Sequence, residues 1–204
     1  MVKLVLKKNR QFPAHALAKA AGVERLIFCT DLARVCDPVA VAEKLPPGSI
    51  IICRDYDHAD RETYARKLCA ATRENRQFLL VAGDVALARK VGADGVHLPE
   101  YMLSRRQVLS GFRLITAACH NRAALRRAER LGVDFALVAP VFSTRSHVGA
   151  PALGLHRFAR LTFRTPVRVA ALGGVNVATA KKLRPLKLAA LAGIDGFLSD
   201  KSGA

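Results

Sequence analysis

Residues 78–98 read FLLVAGDVALARKVGADGVHL, and they hold the fold in miniature. Phe78–Val81 is a short, continuous apolar run. Val85–Val91 has helical spacing, Gly92 stops it, and Gly95–Leu98 is a second apolar run. Unbroken rather than alternating apolarity is the mark of parallel strands covered on both faces. A glycine just past a periodic segment ends a helix. The stretch therefore reads as strand, helix, strand.

The same alternation continues in both directions. Strand-like runs occupy Leu26–Thr30, Ser49–Cys53, Leu114–Ala118, Phe135–Ala139 and Val167–Leu172. Helical patterns occupy Pro38–Leu45, Asp60–Asn75, Arg105–Leu109, Ala123–Leu131, His156–Leu161 and Val177–Leu183. Asp37 before Pro38 forms an N-cap with proline in the first turn, and Gly132 repeats the stop seen at Gly92. Seven strand-then-helix units result, and Leu188–Ala192 supplies an eighth strand. Eight such units close into a single (β/α)₈ barrel spanning residues 1–204. An open doubly wound sheet needs a glycine-rich turn after the first strand, and Cys29–Cys36 contains no glycine. Two ends depart from the ideal. Few residues follow the eighth strand, so the last helix is expected to be short or missing. Pro13–Ala21 reads as an extra helix, covering either the barrel bottom or the vacant eighth position.

Composition narrows the class. Hydrophobic residues make up 51% of the 204, enough for a sizeable core. No apolar run approaches the roughly 18 residues of a membrane span. Met1–Gln11 carries Lys3, Lys7, Lys8 and Arg10 with no apolar segment behind them, so no secretory signal is expected. The five cysteines form no CxxC pair and no metal spacing. They read as reduced thiols of a cytoplasmic protein. Lys and Arg number 33 against 16 Asp and Glu, a net charge of +17. The basic residues are spread over helical segments, with Arg122, Arg126 and Arg130 on one helix face. Aromatic interleaving of the kind single-strand binders use is absent from the pattern. Nucleic acid is therefore not the expected partner; an anionic membrane, phosphorylated substrates and a basic surface that merely keeps the protein soluble remain as readings of the charge.

In a barrel, chemistry sits just after the strands. Gly173 and Gly174 after strand 7 let backbone N–H groups approach an anion, and Gly193 after strand 8 would add a second loop; this is the expected phosphate cup. Arg54 after strand 2 needs an anionic ligand or an internal ion pair, to Asp55 or Asp84. His97 and His120 follow adjacent strands, a placement that allows them to face one another; each reads either as a proton-transfer group or as a structural hydrogen-bonder. Thr144, Arg145 and His147 lie on a polar loop containing Gly149, a candidate lid over an anionic substrate.

Val91–Leu98 (VGADGVHL), His120-Asn121, Pro140-Val141-Phe142 with Thr144, Leu153-Gly154-Leu155 and Ala171–Val175 (ALGGV) together resemble the thiamine phosphate synthase/TenI family. The likeness runs in order from about strand 2 to strand 8. It implies a (β/α)₈ barrel that joins a pyrimidine pyrophosphate to a thiazole phosphate, with Mg²⁺ and release of pyrophosphate. The family's Gln-x-Arg-x-Lys motif meets Ile52, Arg54 and Tyr56, so the arginine alone is kept. Its Asn-Asp pair meets Ala82 and Gly83, with Asp84 one residue on. Its second metal-binding aspartate meets Met102, with Glu100 nearby. Its serine after strand 5 meets Ala118, its loop lysine meets His147, and the TenI histidine meets Pro140.

By this likeness Arg54 and His120 are the expected catalytic residues, and Gly173, Gly174 and Gly193 the phosphate-binding ones. His97, Thr144, Arg145 and His147 would contact substrate, and Asp84 and Glu100 would stand in for the Mg²⁺ ligands. The phosphate side is kept and the metal side stripped. The expected activity is that of a thiamine phosphate synthase-like protein. The alternatives are a TenI-like thiazole isomerase using His120 or His97, or a non-catalytic binder of phosphorylated ligands. Mg²⁺ is implied for the synthase only, and a homodimer is a candidate assembly.

Overall fold

The computed structural model describes residues 13–106, 108–144, 151–194 and 196. Eight strands run β1 (Arg25–Cys29), β2 (Ile50–Cys53), β3 (Phe78–Ala82), β4 (Gly95–Leu98), β5 (Leu114–Cys119), β6 (Phe135–Val138), β7 (Arg168–Ala171) and β8 (Ala190–Gly193). Each pairs in parallel with its neighbours in chain order, and β8 pairs with β1, with Phe28 opposite Gly193. The barrel is closed. Ile50, Ile51 and Ile52 are all fully buried, which is why the run carries no alternation: one side fills the barrel and the other meets the helices.

The helices are α1 (Pro13–Ala21), α2 (Pro38–Lys44), α3 (Arg61–Glu74), α4 (Val85–Val91), α5 (Arg122–Leu131), α6 (Gly154–Thr162) and α7 (Val177–Leu183). Asp37, Asp60, Asp84, Asn121 and Asn176 each accept a hydrogen bond from a backbone amide three residues on. Five helices thus start with the same satisfied donor.

A second device recurs with the stops. Gly92 and Gly132 end α4 and α5 in the left-handed conformation, and two residues later comes an aspartate. Asp94 accepts the Leu79 amide of β3 at 3.0 Å, and Asp134 accepts the Ile115 amide of β5 at 2.8 Å. The same carboxylates pair with Arg113 and Arg168. These arginines, with Arg25, stack over Phe78 and Phe135. Part of the positive charge therefore closes the barrel bottom.

One expected element is absent. Of the expected helix Arg105–Leu109, the described residues 105, 106, 108 and 109 are not helical: a 3₁₀ turn spans Glu100–Ser104, and Arg105 after it is extended. The turn buries Met102 and Leu103, whereas Val108 is 73% exposed. The segment's apolar anchors lie earlier than the helical reading placed them.

α1 packs against α7 and touches β1. Ala14, Leu17 and Ala21, at i, i+3 and i+7, are buried. Of the two expected positions this is the eighth one, beside the β8–β1 seam. The expected short or missing last helix falls on residues 195 and 197–204, outside the described residues.

Candidate active site at the barrel mouth

The C-terminal strand ends enclose a cavity of about 360 Å³. Its wall runs from Cys29 and Arg34 through Arg54, Tyr56, His97 and Glu100 to His120, Thr144 and Gly173. Arg54, His97, His120, Thr144, Gly173 and Glu100 were all expected at the site, and one cavity gathers them.

Arg54 donates from Nη2 to Asp31 Oδ2 at 2.7 Å. Its ion-pair partner is therefore neither Asp55 nor Asp84. Asp55 is occupied by the Thr30 hydroxyl at 2.5 Å and the Leu32 amide at 2.7 Å, which lock the β1 and β2 loops together. Thr30 Oγ1 in turn accepts the Arg54 amide at 2.9 Å. The guanidinium is thereby fixed at the cavity edge.

His97 ends the buried face of β4 and is 6% exposed. Its Nδ1 lies 2.8 Å from Thr116 Oγ1 on β5. Burial, then Arg54, then His120 push its pKa from 6.5 down to about 3, so the ring is neutral at ordinary pH. It serves as a hydrogen-bonding group rather than a cation. His120 lies 2.9 Å through Nδ1 from the Ala139 carbonyl, and its amide donates to Glu100 Oε2 at 2.9 Å. Cys29 also lines the wall, but burial pushes its thiol up to about 11, which leaves no thiolate to act as nucleophile.

The opposite wall is a tight turn. Val141 and Phe142 amides donate to the Leu172 and Gly173 carbonyls, continuing the β6–β7 ladder past the strands. Gly173 has φ +94° and Gly174 φ +64°. A Cβ on Gly173 would sit 2.8 Å from Pro140 Cα, and one on Gly174 2.4 Å from the Ser143 carbonyl oxygen. Both positions therefore exclude side chains, by conformation and by space. Among the described residues no acceptor is found for the Gly173 and Gly174 amides. Gly193 is the buried last residue of β8 rather than part of a loop, and Ile194 after it reaches the cavity. Arg145 and His147 lie outside the described residues.

The residues expected to hold Mg²⁺ do not fit that ion. Asp84 caps α4 by accepting the Leu87 amide at 2.8 Å and is not on the cavity wall. Both Glu100 oxygens are engaged, Oε2 by the His120 amide and Oε1 by Asn121 Nδ2 at 2.8 Å, with Arg127 at 4.0 Å. Among the described residues no three His, Cys, Asp or Glu side chains gather around one point. Mg²⁺ wants free carboxylate oxygens.

Sequence reasoning missed four lining or bracing residues. Arg34 and Tyr101 line the cavity. Tyr56, also on the wall, carries Arg61 stacked over its ring at 5.3 Å. Arg61 donates to the Ala82 and Cys53 carbonyls at 2.6 and 3.3 Å, fastening the ends of β2 and β3. An arginine in the first turn of a helix carries no motif; only closure of the barrel brings it to those carbonyls.

The sequence profile of the family described as thiamine monophosphate synthase matches residues 26–197. A relative described as putative thiamine-phosphate synthase 2, from Aquifex aeolicus (strain VF5), is 32% identical over 150 residues, 71% of this chain and 80% of its own. The putative thiamine-phosphate synthase of Geobacter sulfurreducens is 31% identical over 176 residues, 80% of this chain and 81% of its own. Among solved structures, a thiamine phosphate pyrophosphorylase from Pyrococcus furiosus superposes with a TM-score of 0.71 over 89% of this chain and 91% of that one. At 22% identity that likeness speaks for the fold.

Proposed function

Because the chain belongs to the thiamine monophosphate synthase family, we propose that its mouth couples a pyrimidine pyrophosphate to a thiazole phosphate. What carries this reading is the single cavity joining the Gly173 turn to Arg34, Arg54, His97 and His120. The thiazole phosphate would rest on the Gly173–Gly174 amides. The thiazole nitrogen would bond to the pyrimidine methylene carbon as the carbon–oxygen bond to pyrophosphate breaks. The electron pair leaves with pyrophosphate, and the ring becomes a thiazolium cation. Such a reaction needs positioning and charge stabilisation more than proton transfer. Arg34 and Arg54 are the cations on the cavity wall. Neutral His97 would orient a ring without adding positive charge beside the electrophile, and His120, tethered to the Ala139 carbonyl, would help to position it.

A second reading is binding without coupling, a regulatory or ligand-holding barrel. The engagement of Asp84 and Glu100 by backbone and side-chain donors favours it. One experiment separates the two. Protein is incubated with pyrimidine pyrophosphate and thiazole phosphate, with and without Mg²⁺, and thiamine phosphate is measured beside the melting temperature with each ligand. Product above background supports coupling. A raised melting temperature with thiazole phosphate but no product supports the second reading. No shift and no product overturns both.

Five free cysteines, four of them buried, support the cytoplasm as the place of action. Among the described residues no helix is long and apolar enough to cross a membrane. A homodimer remains part of the proposal, and light scattering tests it.

A further inference from the structure

Closure of the barrel brings together arginines that lie far apart in the chain. Arg122, Arg126 and Arg130 recur along α5, spaced about 6 Å apart by the helix rise. Arg157 and Arg160 stand on α6, and Arg164 follows in the next turn. All six are exposed. Among the described residues none has a carboxylate partner. A groove of about 310 Å³ is lined by Arg122, Arg157, Arg160 and Leu161. Arg122 is pinned there, donating to the Leu161 carbonyl at 2.7 Å and the Phe163 carbonyl at 3.4 Å.

This arrangement opposes the chain's own stability. Like charges at i, i+4 and i+8 weaken a helix. Arg164 takes φ +59°, a left-handed conformation that disfavours any residue with a Cβ. Its guanidinium stacks 5.1 Å from the Phe163 ring, and that phenylalanine is 63% exposed. The wall thus combines a row of forked cations, a groove and one presented aromatic face.

Against the expectation drawn from the sequence, we propose that this wall, formed by α5, α6 and the turn after α6, binds the phosphodiester backbone of single-stranded nucleic acid. Guanidinium groups match phosphate oxygens bidentately, and an exposed ring offers a base its face. The net charge of +17 draws such a chain in from a distance. A lipid surface fits less well. The other exposed large apolar residues among those described, Leu32, Tyr56, Tyr101 and Val108, lie on other loops, so the wall has little to insert. The wall lies on the outer helical layer and shares no lining residue with the mouth cavity, so it is independent of the coupling reaction.

The test is fluorescence anisotropy with a labelled oligo-dT of about 20 nucleotides, titrated across salt concentrations. Two variants lose equal charge: Arg126→Gln with Arg157→Gln and Arg160→Gln, and as control Lys181→Gln with Lys182→Gln and Lys187→Gln. The arginine variant is expected to bind at least tenfold more weakly and to lower the slope of log K against log salt by about two, at about 0.7 per phosphate contact on a single strand. The lysine control should stay within about twofold. Phe163→Ala, which leaves every charge in place, should also weaken binding. Equal loss in both charge variants, absence of binding at about 50 mM salt, or tight binding to phosphatidylserine vesicles without binding to the oligonucleotide overturns the proposal.

Discussion

His97 shows how far a residue's surroundings decide its chemistry. An imidazole whose pKa falls from 6.5 to about 3 on folding is neutral in the native state where the unfolded chain already binds a proton. The folded pKa is depressed, so this contribution to stability is complete above about pH 6.5 and is lost progressively as pH falls toward 3. The melting temperature should therefore drop between pH 6.5 and 4, and more steeply in the wild type than in His97→Gln; parallel curves would remove this role from His97. At Gly173 the expected outcome is structural and functional together. Gly173→Ala places a Cβ 2.8 Å from Pro140 at φ +94°, so it should lower the melting temperature and abolish any shift caused by thiazole phosphate. A variant that melts as wild type and still responds to the ligand would contradict both. Some residue partnerships were legible in the sequence and others were not. The glycine pair and the two histidines stood out because they follow apolar runs. Asp31 did not: it lies 23 residues from Arg54 in another loop, and the partners expected from the sequence were Asp55 and Asp84. Arg34, Arg61 and Tyr101 were invisible for the same reason, since a loop or first-turn residue acquires its neighbours only when the strands align.

At the scale of elements, legibility followed the physical signal. All eight strands could be read because parallel strands buried on both faces leave unbroken apolar runs, as Ile50–Cys53 does. Helices with the cap at Asp37 and the stops at Gly92 and Gly132 were equally clear. The 3₁₀ turn at Glu100–Ser104 was not, because a single tight turn is too short to show a period. The N-terminal helix carried its apolar face openly, but its position needed the structure. Leu17 is fully buried between α1 and its neighbours, so Leu17→Ala should cost about 2–5 kcal/mol, read as a shift in the urea midpoint at unchanged slope. A cost near zero would mean that α1 is a decoration rather than part of the wall.

For the molecule as a whole, charge is the unusual quantity. A net +17 on 204 residues repels itself. That surplus remains after every acid is counted, and among the described residues ion pairs hold Arg54, Arg66, Lys90, Arg113, Arg127 and Arg168. Raising sodium chloride from about 0.01 M to about 0.15 M shortens the screening length from about 30 Å to about 8 Å. The melting temperature should rise over that interval, and a flat or falling curve would show that ion pairs outweigh repulsion. The fold was the more legible half of the problem, since it rests on a pattern repeated eight times. The mouth rests on single residues, and there the metal-side positions carry other groups.

The packing of α1 on α7 also sets an order in time. During synthesis the first helix leaves the ribosome long before residues 177–183 exist, and synthesis proceeds at roughly 5–20 residues per second. For that interval Ala14, Leu17 and Ala21 lack the helix they are built to meet. The barrel can be completed only after α7 and β8 have been made, and until then the nascent chain must keep an apolar stripe in hand.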